Sequence, residues 1–144
     1  MNDRYLYRAK RTDNGEWIVG SLVQAPYLGS IRSWISSEQE DKARLREISS
    51  NQAVWRAFEV RTDTICQCTG LKDKNGKDIY EGDILRKSGY WDVRVEFERG
   101  QFCIKSADII QYLNNTIDGS IRKFPVDEYE AIGNIFDNPE LLEV

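Results

Sequence analysis

The sequence predicts a mainly β protein, a small antiparallel barrel or roll with an N-terminal β-hairpin and little helix. Three observations carry this. Apolar residues recur at every second position, most cleanly at Trp91, Val93, Val95 and Phe97, the period of a strand with one buried face. Tight-turn residues punctuate the apolar runs at Asn14-Gly15, Asn75-Gly76 and Arg99-Gly100. The runs are short and follow one another closely, as in a meander folded into a small barrel or roll.

The elements follow in order. Tyr5, Tyr7 and Ala9 alternate with Leu6, Arg8 and Lys10; Thr12-Asp13-Asn14-Gly15 then turns the chain into Trp17-Ile18-Val19. Asn-Gly tolerates the positive φ of a tight hairpin, so strand-turn-strand is expected. Residues 24–35 mix Pro, Gly and aromatics and read as an irregular connection ending in a short strand. Residues 36–51 are polar and charged. Ser37 and Glu40 fit a capping box, but the apolar side (Ala43, Leu45, Ile48) is thin, which favours a loop over a solvated helix. Trp55–Val60 reads as strand, and another starts at Ile65. Two turns, Lys74-Asn75-Gly76-Lys77 and Glu81-Gly82-Asp83, precede a strand over 84–87. After Trp91–Phe97, Phe102-Cys103-Ile104 returns. Residues 108–113 suit a helical turn, residues 129–136 a last strand, and Pro139-Glu140-Leu141-Leu142 a closing helical turn.

Composition narrows the function. The chain of 144 residues has enough length for one real core and contains no histidine. Ser-His, Cys-His and His-metal chemistry within this chain are therefore excluded. The net charge is −4, and every ionisable side chain after Lys123 is acidic. The remaining body is close to neutral, which weakens a nucleic-acid reading without closing it. Cys66-Gln67-Cys68 lacks a second pair to complete a zinc site. The three cysteines are expected to be buried reduced thiols in a reducing cytoplasm. No apolar stretch approaches membrane-spanning length, and Met1-Asn2-Asp3-Arg4 lacks an apolar signal core. Neither membrane insertion nor secretion is expected.

The densest segment runs from Gly70 to Leu85. Its carboxylates Asp73, Asp78, Glu81 and Asp83 invite a metal-site or acid–base hypothesis. An EF-hand loop counted from Asp73 fails, because Gly76 falls fourth and Ile84 twelfth. Local roles are favoured instead: Gly76 and Gly82 for positive φ, Asp73, Asn75 and Asp83 for turn amides, and Glu81 for a pair with Lys77 or Arg86. Lys72, Lys74 and Lys77, with Tyr80 and Trp91 as stacking surfaces, form the weaker candidate set for binding nucleic acid. Their charge is mostly offset by neighbouring acids, and alternating aromatics usually serve a core. The residues name no catalytic group, metal ligand or cofactor.

The block Thr69 to Leu85 (TGLKDKNGKDIYEGDIL), the late Ile132 to Leu142 (IGNIFDNPELL) and the early Trp17 to Gly20 (WIVG) resemble the YopX family, small proteins encoded by bacterial phages and prophages. The resemblance spans nearly the whole chain, excepting residues 24–53. It implies one β-rich domain containing an SH3-like barrel or roll: an N-terminal hairpin and variable connection over about 1–60, and a barrel core over about 61–138. Its motif residues, Gly70, Asp73, Gly76, Glu81, Gly82, Asp83, Gly133 and Asn134, are expected to be structural. It implies no established activity. The reading that emerges is a non-enzymatic interaction module in the cytoplasm of a bacterial host, acting on a protein partner or on a second copy. The alternative is a small-barrel nucleic-acid binder in phage replication or gene control.

Overall fold

The computed structural model of the chain describes residues 5–37, 57–105, 110–112 and 124–142. The protein is mainly β, and its strands pair antiparallel in two sheets. It divides into two compact units, Tyr5–Gln67 and Cys68–Val144, each with its own core.

The first unit is built from β1 (Tyr7–Lys10), β2 (Trp17–Tyr27), β3 (Ser30–Ser36), β4 (Ala57–Val60), a 3₁₀ turn (Thr62–Thr64) and the start of β5 (Cys66–Lys72). The turn chemistry foreseen at Asn14-Gly15 is present. Gly15 has φ +73°, and the Asn14 side chain accepts the Glu16 amide at 2.9 Å. β2 and β3 differ from expectation: they form one continuous hairpin in register from Ser21↔Ser36 to Tyr27↔Ser30. The turn is Leu28-Gly29, both at positive φ (46° and 83°), the type I′ geometry that matches strand twist. Leucine is a rare residue there, which is why the pattern hid the hairpin. At the far end of β4, Val60 bridges Arg11, and the Arg61 amide donates to the Lys10 carbonyl at 2.8 Å. The Thr64 hydroxyl accepts the Lys10 amide at 2.9 Å. Ala9, Ile18, Ile35, Phe58 and Val60 fill the core between these strands.

In the second unit, β5 continues into β6 (Asp78–Tyr80), pairing Cys68 with Tyr80 and Lys72 with Asp78. β7 (Asp83–Arg86), β8 (Val93–Glu98), β9 (Gln101–Lys105), β10 (Ile110–Tyr112) and β11 (Glu130–Asn134) form a sheet ordered β10-β9-β8-β7-β11. An open sheet thus stands where the sequence suggested a barrel, and no closed barrel is formed among the described residues. Within the helical turn expected over 108–113, residues 110–112 are instead the strand β10, held by Ile110↔Lys105, Gln111↔Ile104 and Tyr112↔Cys103; residues 108, 109 and 113 lie outside the described residues. Pairing with β9 overrides the weak local preference of those residues. The last strand is shorter than expected, because Tyr129 closes a 3₁₀ turn (Val126–Glu128) and Ile135 begins a turn. The closing helical turn at Pro139–Leu142 is 3₁₀. Ile79, Leu85, Val93, Val95, Phe102, Ile104, Phe124, Val126 and Tyr129 make the core. The polar connection over 36–51 lies outside the described residues beyond Ser37, as do Val54 and Trp55.

Candidate functional site

Asp73 sits at the end of β5 and is buried. One carboxylate oxygen accepts the amides of Asn75 (2.8 Å) and Lys77 (2.9 Å), closing the turn that Gly76 completes at φ +80°. The other accepts the Ala131 amide at 3.0 Å, across to β11. Burial works against the charge, but the amides of Ala131, Lys77 and Asn75 outweigh it and hold the carboxyl below its ordinary value. Beside it, the Lys74 amide donates to the Tyr129 carbonyl at 2.9 Å. Asp73, one of the four acids that invited a ligand reading, thus anchors backbone.

Gly82 and Asp83 do the same work at the start of β7. Gly82 takes φ +87°, donates its amide to the Val95 carbonyl at 2.7 Å and accepts the Ile135 amide at 2.9 Å. Asp83 is buried and accepts the Tyr80 amide at 2.8 Å. At the end of β11, the Asn134 side-chain oxygen accepts the amides of Phe136 and Asp137, both at 3.0 Å. Between Ala131 and Gly133 the register with β7 slips by one residue, a bulge that leaves Ile132 as the extra residue. A Cβ on Gly133 would lie 2.4 Å from the Asn138 side-chain oxygen, so any larger residue there requires the Asn138 side chain to move. Gly70 also has positive φ.

The weaker binding candidates are scattered. Lys72 pairs with Asp78 at 2.5 Å and Lys74 with Glu130 at 3.7 Å. Lys77 is exposed and gives its amide to Asp73. Tyr80 is buried, whereas Trp91 is 74% exposed and lies before β8. The alternation that placed Trp91 and Phe97 with Val93 and Val95 holds only for the two valines, because the ends of β8 run beyond the core. Arg86 binds Asp92 through two parallel contacts (2.9 and 2.7 Å), a partner that the sequence reading did not name.

Sequence reasoning also missed a second cluster: Lys87 donates to Glu128 at 2.8 Å and lies over the rings of Tyr90 and Tyr129. The three cysteines are buried free thiols, and burial pushes the Cys103 thiol up, away from the reactive thiolate. Among the described residues no three Cys, Asp or Glu side chains gather as a metal ion would require. No helix among them is long and apolar enough to cross a membrane.

Fold and motif together define a small antiparallel β protein in which the buried acids Asp73 and Asp83 accept amides of its own backbone. The family model described as "YopX protein" matches residues 6–143, and the chain belongs to that family. It is similar to protein EF1440 from Enterococcus faecalis, known from a crystal structure. The two share 28% identity with a TM-score of 0.51, over 95% of this chain and 96% of that one. No curated protein matches the chain.

Proposed function

We propose that this protein is a non-enzymatic interaction module of a bacterial phage or prophage, working in the host cytoplasm through contacts with protein, a second copy of itself included. One observation carries the reading. The polar groups that looked most like a site are engaged by the protein's own backbone, whereas large apolar side chains stand in solvent on strands and turns. Asp73 is satisfied by amides of its own fold, while Leu28, Tyr27, Tyr90 and Trp91 are exposed. Exposed apolar surface is the currency of protein contacts, not of phosphate binding. The lysines proposed for nucleic acid are diluted further, because Lys72 and Lys74 face Asp78 and Glu130. Heparin chromatography with a salt series on DNA binding tests the reading. Weak retention and no steep salt dependence are expected, and tight DNA binding that falls sharply with salt would overturn it.

A further inference from the structure

The β2–β3 hairpin breaks rules that the rest of the chain keeps. From Trp17 to Tyr27, β2 carries no Asp, Glu, Lys or Arg. It pairs with β1 only from Trp17 to Gly20, so from Ser21 to Tyr27 its second edge has no strand beside it among the described residues. β3 is likewise covered by β4 only from Ser33 to Ser36. An uncharged, uncovered edge is a template for another strand.

At the tip, Leu28 is 91% exposed and held at φ +46°, where leucine is disfavoured and Asn or Gly would be at ease. The chain uses Asn-Gly at two other turns, Asn14-Gly15 and Asn75-Gly76. Local stability therefore argues against Leu28 twice, by strain and by exposure.

Resting on the interaction-module reading, we propose that this hairpin is where a second copy of the chain docks, β2 edge against β2 edge about a two-fold axis. Two features favour a copy over another partner. The hairpin's one cation, Arg32, lies over Tyr27 (5.2 Å) and Trp34 (5.4 Å) and is ion-paired with Glu59. Two copies therefore meet on a neutral surface despite a net charge of −4 each, and no complementary charge waits for a foreign partner.

The area fits a weak, concentration-dependent dimer. Val23 (39% exposed) and Tyr27 (54%) share one face of the hairpin and Leu28 (91%) stands at its tip, while Ile31, paired with Pro26, belongs to the other face. The first three offer roughly 300–350 Å² per copy. Doubled by symmetry and joined by the two backbone edges, this stays below the roughly 1,200 Å² of a standard interface, the range of transient contacts.

Light scattering after size exclusion on the full chain, from micromolar to hundreds of micromolar, tests this with Leu28→Asn and Val23→Lys. Leu28→Asn creates the favoured Asn-Gly turn, so it removes the contact without endangering the fold. Val23→Lys puts like charges across the two-fold axis. Wild type is expected to approach the mass of two chains as concentration rises. Each variant is expected at the mass of one, with its β circular-dichroism spectrum retained and self-affinity weakened about 100-fold or more. A two-chain mass that persists in either variant overturns this surface and leaves self-association standing. A wild-type mass of one chain throughout overturns this surface and self-association alike, while the interaction-module reading then rests on the DNA-binding series alone.

Discussion

The turn block around Asp73 and the β2–β3 hairpin invite opposite readings from composition and reverse them in structure. The block is dense in charge and glycine, yet its acids accept backbone amides and its glycines take φ values that only the turns require. The hairpin looks like a bland run of Ser, Ala, Pro and aromatics, yet it leaves apolar side chains in solvent and a strand edge without a neighbouring strand among the described residues. Polar density alone does not mark a site, because buried backbone also needs acceptors. A residue that costs its own fold stability is the stronger pointer outward.

Substitutions in the block should therefore act on stability, and the largest effect belongs to Asp73. Asp73→Ala removes the acceptor of three part-buried hydrogen bonds, from the amides of Asn75, Lys77 and Ala131 to a charged group, and should cost about 3 kcal/mol in urea unfolding. A loss below about 1 kcal/mol would show that water replaces the carboxylate cheaply and that the anchor is dispensable. Gly82→Ala comes next, since alanine at φ +87° is strained; a loss of about 1 kcal/mol or more is expected, read as a lower melting temperature. An unchanged melting temperature would remove the structural account of that turn.

The acid limb of stability sharpens the comparison further. The Asp73 carboxyl titrates below its ordinary value of 3.8 when folded. Its contribution is therefore complete above that ordinary value and is lost as pH falls through the folded one. Asp73→Asn should flatten urea-midpoint curves in that acid window and leave their slope near neutrality unchanged. An undiminished acid slope in the variant would place the linkage elsewhere. The smallest effect is expected at Lys72→Ala. Its exposed pair with Asp78 should be worth about 0.5 kcal/mol or less, and a larger loss would mean that the lysine does more than screen the turn.

Much of the second unit was legible in sequence. Asn75-Gly76 and Glu81-Gly82-Asp83 announced their turns because positive φ leaves a residue signature, and Val93 and Val95 announced a strand because its buried face repeats every second residue. What escaped is what neighbours decide. Ile110–Tyr112 is strand only because β9 offers an edge. Trp91 and Phe97 continue the period of β8, but the core beneath them ends. The Leu28-Gly29 turn was missed because its geometry is met without the usual residue, and Pro26 argued for a break that an uncovered edge strand tolerates. At the candidate site, the turn residues that the sequence singles out are Asp73, Gly76, Gly82 and Asp83, and their carboxylates and positive φ values serve backbone turns here. That one Asp73 oxygen reaches Ala131 was beyond any pattern, since nothing local encodes a partner on another strand.

That last contact has a kinetic side. Asp73 and Ala131 are 58 positions apart along the chain. Bringing such distant ends together costs about 3–4 kcal/mol of chain freedom by the logarithmic law of loop closure, close to what the anchor returns. The bond therefore belongs after the local hairpins have formed, with β7, β8 and β9 shortening the effective path. The same logarithm makes the span forgiving: ten residues added between 73 and 131 lengthen the closure by only about 0.1–0.2 kcal/mol. A lineage can enlarge that stretch almost freely, provided the aspartate and the amide that finds it are kept.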